Sequence, residues 1–191
     1  MNNLKFKKND LFIENISIKK LAKKFATPFY CYSSNTIIQK YKKFELPFKN
    51  SDTIICYAVK ANPNIAILKI LSNLGAGAEV VSAGELRRAL KAGVKAKKIV
   101  FSGVGKSYSE IKFAIEKNIL QINIESIEEL ELITKIAKKL RKKVQIGIRI
   151  NPNIDAKTHT KITTGRKEDK FGLNLENAEK IFLNYRSNPN L

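Results

Sequence analysis

Hydrophobic positions fall into two kinds of segment along most of the chain. Short apolar runs rich in β-branched residues predict strands at Thr53–Val59, Ala78–Val81, Lys98–Phe101, Gln121–Ile124 and Val144–Ile150. Longer stretches with apolar residues at helical spacing predict helices at Ile65–Leu74, Gly84–Ala92, Tyr108–Lys117 and Ile127–Leu140. The strand runs are apolar on both faces, as in a parallel sheet that helices cover. Strands separated by helices of this length indicate successive βα units.

Residues typical of helix ends lie between these segments. Asn62 followed by Pro63 predicts an N-cap with proline at the first helical position. Gly75 stands at the end of the same predicted helix and suits the left-handed conformation of a C-terminal cap. Ser126 and Glu129 have the spacing of a capping box. These local signals agree with the helices that the apolar spacing predicts.

The two ends of the chain follow other patterns. Thr27–Tyr32 predicts one strand and Asn35–Phe44 a helix, while residues 1–26 are expected to form a separate small element. The polar stretch Asn151–Lys170 is too long for an ordinary βα turn, and loops of this length are usually functional or mobile. Another helix is predicted to begin near Leu175.

The number of βα units leaves two architectures open. Five strands and a final helix are enough for a flavodoxin-like open sheet, whereas eight such units form a closed barrel. The final residues, Arg186–Leu191, resemble a connection into another strand. We therefore expect an incomplete chain.

Basic residues far outnumber acidic ones. The chain has 36 Lys and Arg against 17 Asp and Glu, a net charge of +19. Taken alone, this balance suggests a nucleic-acid or anionic-membrane partner. Most of the basic residues are lysines scattered along helix faces, and aromatic residues do not cluster with them. We attribute the excess of lysine chiefly to a genome-wide compositional bias and predict no nucleic-acid or membrane partner. A positive field would still attract an anionic ligand such as a phosphorylated cofactor.

Cysteine and histidine are scarce. Cys31 and Cys56 have no metal-ligand spacing, and the chain has 1 His. This excludes a Cys/His zinc site, and a disulfide framework is not expected. The first residues have no apolar signal-peptide core, and no run is long enough for a membrane-spanning helix. We expect a soluble, cytoplasmic protein without a metal.

Lys60 is the residue whose position suggests chemistry. It stands where the first apolar strand run meets its loop, at the carboxyl end of the strand. In barrels and in doubly wound sheets that end is the ligand side. We expect neighbouring residues to desolvate this lysine and so favour its neutral, nucleophilic amine. The alternative is an ordinary surface lysine, which position alone does not exclude in so lysine-rich a chain.

The segment around Lys60 resembles a known family. Tyr57-Ala-Val-Lys-Ala-Asn62 is similar to the cofactor-lysine motif of the alanine racemase-like, fold type III pyridoxal-phosphate enzymes, especially the diaminopimelate decarboxylases. Further segments resemble the family in its own order: Gly75–Leu86, Lys98–Lys106, Ile122–Ser126, Arg149–His159, Ile162–Gly165 and Lys170–Gly172. The resemblance covers about residues 25–175. The stretch Asp155–His159 favours diaminopimelate decarboxylase over ornithine or arginine decarboxylases.

The resemblance implies an α/β fold of the TIM type. Residues 27–191 would form part of a pyridoxal-phosphate-binding (β/α)8 barrel, incomplete here with about five to six βα units. Residues 1–26 would be a short N-terminal segment that joins a C-terminal β domain.

The resemblance also implies an activity. Lys60 would anchor pyridoxal 5'-phosphate covalently, and the cofactor would act as electron sink when an amino-acid substrate loses CO2. In the diaminopimelate decarboxylases the substrate is meso-diaminopimelate and the product is L-lysine, in the last step of lysine biosynthesis. Ornithine or arginine decarboxylase, an amino-acid racemase and a non-catalytic pyridoxal-phosphate homeostasis protein remain alternatives.

Four further residues are candidates for the site. Arg149 would contact the cofactor at the end of the fifth strand, or would form a buried structural ion pair. Glu79, at the start of the second strand, would be an acid near the lysine, or a plain strand-end carboxylate. Ser82, at the other end of that strand, is a weaker cofactor-binding candidate. His159 lies in a loop that resembles an active-site lid and would approach substrate when the lid closes.

Several parts of the family's site are absent from the sequence. These are a His-x-His-Ile-Gly-Ser segment, a glycine-rich phosphate loop, a Glu-Pro-Gly-Arg stretch and a cysteine loop from a partner subunit. We therefore expect residues 1–191 alone to be inactive, and the full-length protein to be a homodimer.

Overall fold

A computed structural model describes residues 3–154 and 172–191. The chain begins with a small antiparallel sheet of three strands, β1 (Leu4–Lys7), β2 (Asp10–Ile13) and β3 (Ile16–Ser17), followed by helix α1 (Ile18–Lys24). This unit is tied to the next helix, α2 (Ser34–Glu45), through Glu14. The Glu14 carboxylate accepts hydrogen bonds from the Ser33 hydroxyl at 2.7 Å and from the Asn35 amide at 3.0 Å. The bond from the Asn35 amide is the main cause that lowers the pKa of Glu14.

The larger sheet has five parallel strands. They are β4 (Cys56–Ala58), β5 (Gly77–Val80), β6 (Ile99–Phe101), β7 (Gln121–Ile124) and β8 (Ile146–Ile148). The helices that follow α2 are α3 (Ile65–Asn73), α4 (Ala83–Lys91), α5 (Tyr108–Glu116), α6 (Ile127–Leu140) and α7 (Leu175–Tyr185). Neighbouring strands follow one another in sequence order, β4-β5-β6-β7-β8. A flavodoxin-like sheet reverses its strand order, so this order confirms the barrel-type prediction.

The predicted βα units are confirmed, with differences at their ends. Strand β7 and helix α6 have the predicted bounds. Strands β4 and β8 are shorter than the predicted runs Thr53–Val59 and Val144–Ile150. Both are edge strands of the described sheet, and an edge strand can pair along one side only.

The helix side of the large sheet forms the hydrophobic core. Val80, Phe101, Ile122 and Ile124 have no exposed surface and pack among helix residues such as Leu130. Because side chains alternate along a strand, the residues between them lie on the other face, here called the inner face. By strand register the inner face comprises Cys56, Ala58, Gly77, Glu79, Val100, Gln121, Asn123 and Gly147. The face of the sheet that the helices cover is apolar, as predicted. The prediction that the other face is apolar as well is wrong, because polar residues lie on the inner face.

Both edges of the large sheet adjoin apolar cavities. A cavity of about 580 Å³ lies beside β4, with Ile37 and Tyr41 of α2 and Leu71 of α3 in its wall. A cavity of about 170 Å³ lies beside β8, with Ile181 and Phe182 of α7 in its wall. Within the described residues no strand lies on the outer side of β4, whereas Ile150, two residues after β8, forms a single parallel bridge with Leu173. No helix in residues 3–154 or 172–191 is long and apolar enough to cross a membrane.

The strand predicted at Thr27–Tyr32 is wrong. These residues are irregular, and no described strand lies beside them to accept their backbone hydrogen bonds. Tyr30 is 90% exposed and stacks on Tyr32, with the ring centroids 6.4 Å apart. The division of the chain at residues 26 and 27 stays a prediction.

The N-cap of α3 also differs from the prediction. Asn64, not Asn62, caps the helix, because its side chain accepts a hydrogen bond from the Ala66 amide at 2.9 Å. The Asn62 side chain instead accepts a hydrogen bond from the Asn64 amide at 3.1 Å and closes the turn before the helix. Gly75 adopts the predicted left-handed conformation, with φ of 93°.

Candidate functional site

Lys60 lies at the carboxyl end of β4, in a single 3₁₀ turn formed by Val59–Ala61. The Val59 side chain is fully buried against the core, whereas the Lys60 side chain is exposed. Within the described part of the chain, the Lys60 amine has no hydrogen-bond or ion-pair partner. The predicted desolvation of Lys60 is therefore wrong for this part of the chain. The reason is that β4 is an edge strand, with a neighbouring strand on one side only.

Glu79 lies on the strand next to Lys60. Its Cα pairs with that of Ala58, two residues before Lys60, on a strand spaced about 4.8 Å away. Glu79 is the third residue of β5, so the expectation that it starts the strand is wrong. It is partly buried on the inner face, and no residue in 3–154 or 172–191 binds its carboxylate. Lys60 and Glu79 thus form one adjacent pair of oppositely charged groups, neither of which has a partner among the described residues.

Ser82 has a structural role at the start of α4. Its hydroxyl oxygen accepts a hydrogen bond from the Glu85 amide at 3.2 Å, and the Glu85 carboxylate accepts one from the Val81 amide at 2.9 Å. These contacts satisfy backbone groups at the first turn of the helix. A cofactor contact for Ser82 stays a prediction.

Helices α5 and α6 begin with the same Ser-x-x-Glu arrangement. Ser107 and Glu110 form a complete capping box. Ser126 accepts a hydrogen bond from the Glu129 amide, as predicted, but the Glu129 carboxylate binds the Glu125 amide instead of the Ser126 amide. The starts of three helices at the carboxyl edge of the sheet are therefore already capped by their own side chains. They offer no ready-made site for a phosphate group.

Arg149 follows β8 at the opposite edge of the sheet. Its guanidinium Nη1 donates a hydrogen bond to Glu125 Oε1 at 2.9 Å. The Glu125 side chain is 5% exposed, whereas that of Arg149 is 39% exposed. The predicted ion pair is thus present, and the Arg149 side chain is still partly exposed. The two interpretations of Arg149, structural ion pair and ligand contact, are compatible.

Lys106 and Glu129 form a buried ion pair that sequence reasoning missed. The Lys106 amine lies 2.5 Å from Glu129 Oε1 and also donates to the carbonyls of Gly103 at 2.6 Å and Asn123 at 2.8 Å. The side chains are 1% and 9% exposed. Lys106 and Glu129 are 23 residues apart, and no local pattern distinguishes this lysine from the surface lysines.

The middle of the inner face is polar. The Gln121 amide donates to Asn123 Oδ1 at 2.7 Å, and the Asn123 amide donates to the Ser102 hydroxyl at 3.0 Å. Gly147 leaves room for this row, because a Cβ at that position would collide with Asn123 Oδ1. The alternation of polar residues in β7 is the sequence signal that would have indicated such a row.

The predicted site residues do not all lie together. Lys60 and Glu79 are on neighbouring strands, but Arg149 follows a strand four positions away, about 19 Å along the sheet. His159 and most of the loop Asn151–Lys170 lie outside the described residues. The described ends of that loop meet, since the Asn151 amide donates to the Leu173 carbonyl at 2.7 Å.

Comparison with known families decides the classification. Residues 34–191 match the family model described as pyridoxal-dependent decarboxylase, pyridoxal binding domain. The chain belongs to this family.

Known pyridoxal-dependent decarboxylases resemble the chain closely. Diaminopimelate decarboxylase of Helicobacter pylori J99 is 53% identical over 165 residues, which are 86% of this chain and 41% of that protein. The Aquifex aeolicus enzyme is 47% identical over 179 residues, 94% of this chain and 42% of that protein. The crystal structure of M. jannaschii diaminopimelate decarboxylase with L-lysine superposes with a TM-score of 0.90 at 41% identity, over 99% of this chain and 45% of that one. The chain thus spans less than half the length of these relatives.

The residues at the carboxyl edge fit a pyridoxal cofactor. An exposed lysine amine can bond covalently to the cofactor's aldehyde carbon. The neighbouring carboxylate of Glu79 and the guanidinium of Arg149 supply charges of both signs for the polar groups of such a cofactor and of an amino acid. Because side chains already cap the starts of α4, α5 and α6, other residues would have to hold the phosphate of such a cofactor.

Proposed function

We propose that this chain supplies the lysine side of the active site in a pyridoxal-phosphate-dependent decarboxylase that converts meso-diaminopimelate into L-lysine and CO2. The observation that carries the proposal is Lys60, an exposed lysine at the carboxyl end of β4, in a chain about half identical to diaminopimelate decarboxylases. The activity belongs to the whole protein, since the chain spans under half the length of those relatives.

Each residue has a task that follows from its place in the fold. Lys60 Nζ, at the carboxyl edge of the sheet, would hold the cofactor covalently. Glu79, one strand away, would place a negative charge beside that attachment point. When bound, pyridoxal phosphate would supply the electron sink for the electron pair left behind as a proton replaces CO2 at the substrate carbon.

Arg149 supplies the opposite charge from the far edge of the sheet. A guanidinium is always protonated and matches the planar geometry of carboxylate or phosphate. We therefore propose that Arg149 binds an anionic group of the cofactor or substrate. Roles for Ser82 at the cofactor and for His159 at the substrate, which the family resemblance implies, remain part of the proposal. So do the homodimeric state and the cytoplasmic location.

The test is a decarboxylation assay on the full chain as its gene encodes it. With added pyridoxal phosphate, we expect CO2 release and L-lysine formation from meso-diaminopimelate, and none from L-ornithine or L-arginine. Lys60→Ala should reduce the rate to background. Lys69→Ala should leave it unchanged, because Lys69 is an exposed lysine of α3 outside the site. CO2 release from L-ornithine or L-arginine in preference to meso-diaminopimelate would overturn the substrate assignment.

A further inference from the structure

Three charged side chains are buried near the carboxyl edge of the sheet without a role in holding the cofactor. The side chains of Lys106, Glu125 and Glu129 are 1%, 5% and 9% exposed. Burying a charge is costly unless it is paired and hydrogen-bonded. The partners of these three side chains therefore indicate which groups the side chains keep in place.

The contacts of these residues form one continuous path. Lys106 pairs with Glu129 Oε1 at 2.5 Å, and Glu129 Oε2 accepts a hydrogen bond from the Glu125 amide at 2.9 Å. Glu125 Oε1 accepts a hydrogen bond from Arg149 Nη1 at 2.9 Å. We call Lys106, Glu129, Glu125 and Arg149 the rim network. It runs from the loop after β6, across the start of α6, to the end of β8.

Hydrogen bonds fix both the main chain and the side chain of Glu125. Its main-chain amide is bound by Glu129, and its second carboxylate oxygen accepts a hydrogen bond from the Gly172 amide at 3.0 Å. The carboxylate therefore cannot turn without breaking a buried hydrogen bond, which is expensive at 5% exposure. A fixed carboxylate fixes the direction of the guanidinium that it binds.

Only one end of the rim network reaches the surface. Arg149 is 39% exposed, whereas its carboxylate partner is nearly enclosed. We propose that Glu125 is a positioning residue that directs the Arg149 guanidinium towards the bound ligand, and that the Lys106–Glu129 pair holds Glu125 in place. This inference rests on the proposed function, in which Arg149 binds an anionic group. Such preorganisation lowers the cost of ordering a flexible side chain when the ligand binds.

The test is Glu125→Gln in the full chain, which keeps the side-chain shape and removes the charge. We expect a rise of about tenfold in the dissociation constant of pyridoxal phosphate or in the KM of the amino acid. The dissociation constant is measured from the absorbance of the lysine-bound cofactor. Glu128→Gln is the matched control, because Glu128 is an exposed acid in the first turn of α6. It should change neither constant.

A double-mutant cycle separates positioning from a structural role. In an Arg149→Met background, Glu125→Gln should change the affinities less than twofold, because the residue through which it acts is gone. Equal loss in both backgrounds would overturn the proposal.

If Glu125→Gln does not fold, Glu125→Asp serves instead. It keeps the negative charge but withdraws it from Arg149, and unaltered affinities would count against the proposal. Failure of the wild-type protein to take up the cofactor would refute the proposed function itself, whereas normal uptake without coupling would refute only the positioning.

Discussion

Replacing Lys106 by methionine should destabilise the fold far more than replacing an ordinary surface lysine. Lys106→Met leaves the Glu129 carboxylate, 9% exposed, without its counter-charge. It also removes the donor to the carbonyls of Gly103 and Asn123. Breaking a buried pair from one side costs about 3–5 kcal/mol. We expect a loss of about that size in the free energy of unfolding, measured by urea denaturation of the full chain.

Lys112→Met provides the comparison for this measurement. Lys112 forms an ion pair with Glu116 at 3.3 Å on α5, with side chains 46% and 43% exposed. An exposed pair of this spacing contributes only about 0.3–0.5 kcal/mol. Adding Glu129→Gln to Lys106→Met should recover part of the loss, because the uncompensated charge disappears. A loss under 1 kcal/mol for Lys106→Met, similar to that for Lys112→Met, would refute this account of the buried pair.

Two further predictions concern the inner face and a helix cap. Gly77→Ala should cost about 1–3 kcal/mol by urea denaturation, because the added Cβ on this inner-face position collides with the Lys98 main-chain carbonyl, which cannot turn away; an unchanged midpoint would contradict the inner-face geometry. Hydrogen bonds, chiefly from the Ala83 amide, lower the pKa of Glu110 below the ordinary glutamate value of 4.5. Its stabilising effect is therefore present above that pH and lost as the pH falls through the lowered pKa. Glu110→Gln should thus reduce stability at pH 7 more than at pH 3, and an equal reduction at both would exclude this role.

The sequence predicted the regular part of the fold because that part obeys local rules. Strand β7 has a neighbouring strand on both sides, and the apolar spacing of β7 and of helix α6 gave the bounds of both elements. Strands β4 and β8 are shorter than their apolar runs, since tertiary pairing on one side limits them. Thr27–Tyr32 has strand-like composition, but a strand also needs a partner, which composition does not specify.

The site was predicted only where a local motif carries it. Lys60 stands in a six-residue motif, and its place at the carboxyl end of β4 was predicted correctly. Its exposure was not, because burial depends on which elements cover the strand end. The link from Glu129 to Arg149 through Glu125 was also missed. Its members come from separate βα units, and such long-range contacts leave no periodic signal.

The central claim is that Lys60 is the covalent anchor of the cofactor. It is tested most directly by incubating the full chain with pyridoxal phosphate, reducing the carbon–nitrogen double bond with borohydride, and locating the modified lysine by peptide mass spectrometry. The account predicts the adduct on Lys60, and its loss in Lys60→Ala but not in Lys69→Ala. An adduct on a different lysine, or stoichiometric labelling that persists in Lys60→Ala, would contradict it.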